Sequence, residues 1–530
     1  MLDVRPKVDR ADLLRQIYVH PSEARTRAAF AARRPVYRLL WDYYTNSAFE
    51  DVVAYFRYIS KYGLYDYTRQ IFNPVTRVVD FYAEHVYNPG VFTTDAADAL
   101  PRGVQAAIPL HPDTDAKIRA ALRELWRWSN WSAKCRVKIT YAALTGNCAV
   151  EIVDSLSREK VYKRVWWPEE VADLDLNETG DVEFCAFEYM TSTPDRRFKS
   201  GERLQRFRRE LSKDGIVEYI EDRKVREDSN PYGFVPVTWV QHIDLGGLNG
   251  VPAMRSGIGK IDHVNSDASH AADYLHKKIN SARILWTDSK IRSAFVGEFE
   301  TDAQGADVDP GAVREEYDAR YDVAVLQGKP GGNTESLLED LDAASVGENL
   351  TRQLAEIAED YPELSAFKLI REMSAITGPA VDRALGDVRG KMHGPATNYD
   401  AAEVKSDQQA LAIGGWRTRN GWGANGRAPL TNQQRTFGEF DLESYAKGQL
   451  DFSILPRPLV PQSSSEQAEE QAMRFGAAQS ASALNLPPTE VYQVAGYSEA
   501  DAARFALYAA ANPTNPDGED PADKLPGEDQ

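Results

Sequence analysis

The sequence predicts an α+β protein that is mainly helical and divided into several domains. Its 530 residues correspond to about three or four domains at roughly 150 residues each. Apolar residues recur at three- and four-residue steps over long stretches, and one block instead follows a period of two. No run approaches the ~18 apolar residues of a transmembrane helix, and the first residues, which mix both charges, do not predict a secretory signal.

Helices come first, over residues 27–88 and again over 114–131. One buried helix face in the first stretch is outlined by Phe72, Val75, Val79, Tyr82 and Val86. Asn73 followed by Pro74 is typical of a helix start, and the polar segment DTDAK predicts the start of the second helical stretch.

A β-rich region is predicted over residues 135–242. Short runs of β-branched and aromatic residues, beginning with CRVKITYAALTGNCAVEIV and ending with FVPVTWVQH, are separated by Gly, Asn, Asp and Pro, as in an antiparallel sheet. Within it, the basic stretch from Arg196 to Arg209 is interleaved with Phe198, Leu204 and Phe207. This pattern suits an amphipathic strand or helix better than a disordered tail, and its charges are expected to form a solvated face.

Two long helices follow, and they bracket a loop-rich segment with the short strand candidates RILWT and YDVAVLQ. The first helix has a seam with nearly heptad spacing, formed by Ile258, Ile261, Val264, Ala268, Ala271, Leu275 and Ile279. The second, from Ser345 to about Asp360, has one apolar face formed by Val346, Leu350, Leu354 and Ile357. The sequence therefore predicts a helical hairpin with a small module at its tip.

The last third is predicted to be helical with interruptions. A helical stretch begins near MSAITGPAVDRALGDVRGKM, where Pro379 either starts or kinks the helix, and residues 413–437 are predicted to be irregular. From Ser463 two or three short helices are expected. The final twenty residues are acidic and rich in proline, a composition that cannot order itself by burying apolar surface.

Motifs for catalysis, metal binding or cofactor binding do not emerge. Gly259-Lys260 lacks the remainder of a phosphate-binding loop, and His263, His270 and His276 are not spaced like a zinc-binding pair. The three cysteines are too few and too scattered for a disulfide framework, so buried thiols are expected. We expect no cofactor, no metal and no catalytic residues. The formal charge of −18 argues against tight nonspecific adhesion to nucleic acid.

The order of these segments, together with their local sequence motifs, resembles that of the portal proteins of tailed bacteriophages. The most telling match is FVPVTWVQHIDLGGLNGVPAMRSGIGKIDHVNSDASHAADYLHKKINSARILW. Portal proteins similarly have a strand with a proline, then a loop, a glycine and a long helix. TYAALTGNCAVEIV is similar to a glycine-centred strand pair of the family. SAITGPAVDRAL looks like its small-residue helix start, and NPVTRVVDFYAEHVYNPG resembles its N-terminal helix. The resemblance spans roughly residues 70–400.

The resemblance implies a portal-type architecture of wing, two-helix stem, small α/β clip and helical crown. On this chain the implied parts are a wing at 1–254 and 377–455, stem helices at 255–282 and 343–361, a clip at 283–342, a tunnel-loop region at 362–376, a crown at 456–511 and a disordered acidic tail at 512–530.

The resemblance also implies a homo-oligomeric ring, usually a dodecamer, at one capsid vertex of the virion, assembled in the host cytoplasm. Double-stranded DNA would pass through the channel during packaging and ejection. The implied partners are the terminase large subunit, the major capsid protein, the scaffold, and the head-completion or tail connector proteins. Twelve chains would carry a formal charge of −216, and a wall with the same sign as DNA would let a duplex slide.

Within that ring, the candidate DNA contacts are Lys368 and Arg371 near the tunnel loop, and Lys277 and Lys278 on the first stem helix. Ordinary solvated or intersubunit charges are the alternative for all four. The resemblance further implies that neighbouring stems pack through Ile258, Ile261, Val264, Ala268, Leu275 and Ile279. Two other functions stay open on the sequence alone, namely a multidomain enzyme with a non-local active site and a scaffolding or adaptor protein.

Overall fold

The computed structural model shows a mixed helical and sheet protein in which helical residues outnumber strand residues. The coarse fold class predicted from the sequence is therefore confirmed. The structure describes residues 27–49, 71–87, 108–111, 113–194, 202–279, 285–286, 327–328, 343–364, 378–421, 434–455, 457, 459, 464–484, 486–494, 502 and 505–507. The tunnel-loop region and the acidic tail lie outside these residues, apart from 362–364.

Five α-helices precede the sheets among the described residues. They are α1 (Arg27–Ala32), α2 (Arg34–Tyr44), α3 (Val75–His85), α4 (Ala116–Ser129) and α5 (Trp131–Thr145). Asn73 caps the third helix, because its Oδ1 accepts the N–H of Val75 at 3.2 Å. Asp115 does the same for α4 by accepting the N–H of Lys117 at 2.7 Å. Both predicted helix starts are confirmed.

The predicted start of the β-rich region at residue 135 is wrong. The segment CRVKITYAALT belongs to α5, whose buried residues include Trp131, Cys135, Ile139 and Ala142 at three- and four-residue steps. The helix ends at Gly146, which adopts φ +90, so TYAALTGNCAVEIV forms a helix, a glycine and a strand instead of a strand pair. Tertiary burial of one helical face outweighs the β propensity of its β-branched residues.

In the described part of the chain, eight strands then form two antiparallel sheets. They are β1 (Asn147–Ser155), β2 (Lys160–Trp166), β3 (Val171–Leu176), β4 (Val182–Pro194), β5 (Glu202–Ser212), β6 (Gly215–Ile220), β7 (Arg223–Ser229) and β8 (Val237–Gln241). One sheet has the order β2-β1-β8 and the other β3-β4-β5-β6-β7. A shared hydrophobic core contains residues from both sheets, including Trp166, Val171, Phe187, Leu211 and Trp239. The basic stretch from Arg196 to Arg209 enters β5, so residues 202–209 adopt the strand, one of the two forms that the sequence predicts.

The remaining elements are mostly helical. They are α6 (Gly257–Ile279), β9 (Leu285–Trp286), β10 (Gln327–Gly328), α7 (Ala343–Asp360), α8 (Gly378–Asn420), α9 (Leu442–Ala446), α10 (Ser464–Ala483) and α11 (Pro488–Val494). β9 and β10 form a short parallel pair. Pro379 lies in the first turn of α8, where its missing N–H costs nothing, and Pro395 lies inside the same helix.

The prediction of irregular structure from residue 413 is wrong as far as Asn420. Gly414 and Gly415 remain helical because the segment after residue 433 packs directly on them. A Cβ atom at Gly414 would lie 2.6 Å from the Phe437 ring, and one at Gly415 would overlap the carbonyl of Phe440. Two glycines in a helix therefore indicate a close approach here, and not an end of the helix.

The chain divides into two compact units. One contains residues up to Tyr37, Val79–Ala253 and the chain from Ala366 onward, and it holds both antiparallel sheets. The other contains Arg38–Val78 and Met254–Ser365, and it holds α6 and α7. The boundary between Ala253 and Met254 lies where the sequence predicts the wing to give way to the stem, and residues 38–78 group with α6 and α7.

Candidate functional site

The two predicted stem helices form an antiparallel hairpin. Near its base, Lys260 Nζ donates to Asp360 Oδ2 at 2.5 Å, and the hydroxyls of Ser256 and Tyr361 lie 2.9 Å apart. Farther along, Gln353 Nε2 donates to Asp267 Oδ2 at 2.9 Å. Because contact positions rise along α6 while they fall along α7, the helices run in opposite directions, as the sequence predicts.

A glycine allows the hairpin to close at its base. A Cβ atom at Gly257 would lie 2.7 Å from a ring carbon of Tyr361 and 2.9 Å from the terminal methyl of Met254. Tyr361 is 1% exposed, so its ring has little room to move. The first residue of α6 is therefore a position where a side chain does not fit.

The segment Arg38–Val78 holds the other side of α6. Tyr43 donates its hydroxyl to Asp262 Oδ2 at 2.7 Å. The side chain of Asn265 accepts the N–H of Phe72 at 2.6 Å and donates to the carbonyl of Phe72 at 3.0 Å. Side-chain amides that satisfy both backbone groups of one residue fix position as a sheet ladder does. The first half of α6 is thus fixed within its own chain.

This placement corrects part of the ring-packing prediction. Ile258, Ile261 and Val264 are 1%, 0% and 4% exposed in the single chain, so they have no free surface for a neighbouring copy. Ala268 is half-buried, and the side chains of Leu275 and Ile279 lie outside the described residues. A nearly heptad seam is equally suited to packing within a chain, and sequence spacing cannot distinguish the two.

The second helix of the hairpin leaves most of its surface open. Ile357 is 1% exposed on the face toward α6, whereas Leu354 is 38% exposed. Exposed acidic residues also lie on this helix, at Glu348, Glu356 and Glu359. A cleft of about 390 Å³, lined by residues such as Asp267, His270 and Asn349, lies between the outer parts of the two helices.

The side chains of the four candidate DNA contacts all lie outside the described residues. Lys368 and Arg371 lie outside the described residues, so the structure does not bring them to any site. Lys277 and Lys278 lie in the last turn of α6, and their side chains are likewise outside the description. Cations in the last helical turn interact favourably with the helix dipole, which gives these two lysines a structural reason to be there.

A cluster of four buried charges is the most concentrated electrostatic feature of the described residues, and the sequence analysis missed it. Lys138 on α5, Lys163 on β2, and Glu403 and Asp407 on α8 have side chains no more than 1% exposed. Lys163 Nζ donates to Glu403, to Asp407 Oδ1 at 2.6 Å and to Ser406 Oγ at 3.1 Å. Lys138 donates to the other oxygen of Glu403.

Two tryptophans complete the hydrogen bonding of these carboxylates. Trp131 Nε1 donates to Glu403 Oε1 at 2.7 Å, and Trp126 Nε1 donates to Asp407 Oδ2 at 3.3 Å. Burial alone would raise the pKa of Glu403, but the two ammonium groups outweigh burial and hold it below its usual value. Burial raises the pKa of Asp407 to about 7.

The cluster fixes α8 against α5 and β2. Its two ammonium groups and two carboxyl groups are each directed at a partner inside the chain, so the cluster works as a structural clamp. Spacing along the chain could not have revealed it, because its members are up to about 270 residues apart. The one sequence feature that could have indicated the cluster is Lys163, because this lysine shares the inward face of β2 with the fully buried Val161.

His242 and the three cysteines could also carry chemistry, and all four are buried. Burial lowers the pKa of His242 to about 3, so the ring stays neutral, and its Nδ1 lies 2.7 Å from the Tyr399 hydroxyl. Cys135, Cys148 and Cys185 are buried free thiols, as predicted, and burial raises the pKa of the first two to about 12. These thiols stay protonated and are poor nucleophiles.

Comparisons with known proteins add no assignment, since no protein-family model matches the chain and no curated protein is significantly similar to it. Among the described residues, no three His, Cys, Asp or Glu side chains converge as metal ligands would. The helices of the described part also fall short of the length and apolarity needed to cross a bilayer.

Proposed function

We propose that this chain is a portal protein of a tailed bacteriophage, in which many copies form a ring around a channel for double-stranded DNA. The ring would act at one capsid vertex of the virion during packaging and ejection. It would dock the terminase motor and, later, the tail connector. In this proposal the chain is structural and has no catalytic role.

The observation that carries the proposal is the antiparallel pair α6 and α7. The pair is fixed at its base, leaves the outer surface of its second helix open, and brackets the chain from residue 280 to 342. A two-helix stem with a module between its helices is the central feature of the portal resemblance. The element order of helices, sheets, hairpin, long helix and C-terminal helices gives further support.

Charge is consistent with a conduit that guides DNA without holding it. The chain carries 80 acidic and 62 basic residues, and exposed carboxylates lie along the open surface of α7. A surface with the same sign as the phosphates gives no counterion-release gain, so a duplex would pass without strong adhesion. Purified protein should accordingly show no salt-dependent retention of duplex DNA.

Oligomeric mass tests the proposal. Light scattering of the purified full-length chain should give about twelve copies of 59.2 kDa, or about 710 kDa, and a ring of ten or more would also support it. A stable monomer or dimer at high concentration would favour the enzyme alternative. Deletion of residues 283–342 should leave the number of subunits in the ring unchanged and abolish docking of the motor. DNA packaging by the deletion variant would contradict the assignment of these residues to the clip.

A further inference from the structure

Helix α10 has small side chains where it is buried and large apolar side chains where it is exposed. Ala478 and Ala481 are buried, and α11 packs on the helix. Met473 and Phe475 are instead 69% and 54% exposed, and Leu484, which directly follows the helix, is 75% exposed. A surface helix ordinarily has the opposite pattern, because large apolar groups gain most from burial. The single chain therefore leaves α10 without the contacts that its side chains favour.

The exposed apolar residues lie on two nearly opposite sides of the helix. At about 100° per residue, two residues that are two positions apart point about 160° away from each other. Phe475 therefore lies on one side, and Ala477 lies on the other, on the same side as Met473 and Leu484. Leu484 keeps the helical spacing, since its N–H donates to the carbonyl of Ser480 at 3.1 Å. A flat surface such as a bilayer would cover one side and leave the other exposed.

The two sides also have complementary shapes. Gly476 and Ala477 are both exposed, and they form a dent beside the larger Met473. A Cβ atom at Gly476 would meet nothing within 4 Å, so the dent is empty in the single chain. The opposite side presents the ring of Phe475 as a knob. A knob on one helix and a dent on another are the elements of close helix packing, so one side of α10 fits the opposite side of a second α10.

We propose that α10 packs side by side with the same helix of two neighbouring copies, so that Phe475 of one chain enters the Gly476–Ala477 dent of the next. The inference rests on the proposed ring, and it names a contact outside α6 and α7 that joins the subunits. Rotation alone relates the copies in a ring, so residues of similar number meet where the same helices lie side by side. Each α10 then has a neighbour on both of its apolar sides.

Disulfide crosslinking of the assembled full-length chain tests the contact. Phe475→Cys/Ala477→Cys places one thiol on each side of α10, and these thiols point apart, so they cannot pair within one chain. Under a mild oxidant the double variant should give a ladder of covalent oligomers, because each chain links to two neighbours. The native thiols of Cys135, Cys148 and Cys185 are buried, which keeps the background low.

The two single variants are the matched controls for the crosslink. Phe475→Cys alone and Ala477→Cys alone should give no covalent oligomers, because the contact joins position 475 of one chain to position 477 of another. Covalent dimers from Phe475→Cys alone, with no ladder from the double variant, would overturn the proposal in favour of a two-fold contact.

A charge at the knob should weaken assembly without unfolding the helix. Phe475→Glu keeps a good helix former, so its circular dichroism spectrum should match that of the wild type. Its concentration at half-assembly in sedimentation velocity should rise by at least ~10-fold, because an aromatic anchor is lost and a carboxylate is desolvated in its place. Val225→Glu is the matched control, since Val225 is 50% exposed on another element, β7, and this variant should assemble like the wild type.

The outcomes separate this contact from the ring itself. Rings of the double cysteine variant that yield no ladder, together with wild-type assembly of Phe475→Glu, would refute the α10 contact and leave the proposed function intact. A wild-type chain that stays monomeric at all concentrations would instead refute the proposed function.

Discussion

Replacing Lys163 by Met tests whether the buried charge cluster clamps α8 to the sheet. The substitution preserves length and apolar volume but removes the ammonium that donates to Glu403, Asp407 and Ser406. Glu403 keeps Lys138 and a tryptophan as donors. Asp407 keeps only the 3.3 Å hydrogen bond from Trp126, and so becomes a buried carboxylate with a single long contact.

The expected cost follows from that geometry. Breaking a buried ion pair from one side typically costs about 3–5 kcal/mol, because the remaining charge is desolvated without compensation. The matched control is Lys405→Met on the same helix, where Lys405 pairs with Asp181 and the two side chains are 24% and 49% exposed. A half-exposed pair of this kind should contribute less than about 1 kcal/mol.

Native-state hydrogen exchange measures the effect locally, which suits a chain of two units that need not unfold together. Peptides covering residues 395–412 should exchange roughly 100- to 3,000-fold faster in Lys163→Met, and less than about 5-fold faster in Lys405→Met. Replacing all four charges by apolar residues (Lys138→Met, Lys163→Met, Glu403→Leu and Asp407→Leu) should restore most of the protection. Equal exchange in Lys163→Met and Lys405→Met would refute the clamp.

Three further predictions concern pH and close packing. Because burial puts the folded pKa of Asp407 near 7, above its unfolded value, its protonated form contributes stability at low pH that is lost as pH rises through about 7. The side chain of Asp407→Asn cannot ionise, so the opening free energy of this variant relative to the wild type should rise by up to about 2 to 3 kcal/mol between pH 5 and pH 8. A difference in opening free energy that does not change with pH would contradict this. Gly257→Ala should destabilise the hairpin by more than about 2 kcal/mol in a thermal melt, whereas Gly259→Ala, whose added methyl meets nothing within 4 Å, should stabilise it by about 0.5–1 kcal/mol. Gly415→Ala should release the segment after residue 433 from α8 and expose it to proteolysis, and resistance equal to the wild type would disprove the packing.

The sequence predicted those elements whose periodicity and local capping agree. Helices α6, at 257–279, and α7, at 343–360, lie within a few residues of the predicted bounds, because long apolar stripes at helical spacing are the strongest signal available. The starts of α3 and α4 were also predictable, since a capping side chain acts on backbone groups two residues away. Local interactions are visible in local sequence.

Features that depend on distant partners were not predictable. The segment CRVKITYAALT has β-branched residues that indicate a strand, yet it becomes helical because α5 buries one face against the sheet. Gly414 and Gly415 resemble a helix end, and only the position of Phe437 and Phe440 explains why they are helical. The charge cluster is the extreme case, because nothing near Lys163 in the sequence identifies Glu403 as its partner.

If many copies of this chain enclose a hole, electron microscopy of the purified full-length protein in negative stain should show it directly. We expect end-on views of a closed ring of about twelve subunits with a stain-filled centre wide enough for a DNA duplex. Uniform small particles of one or two chains, with no central hole at any concentration, would contradict it.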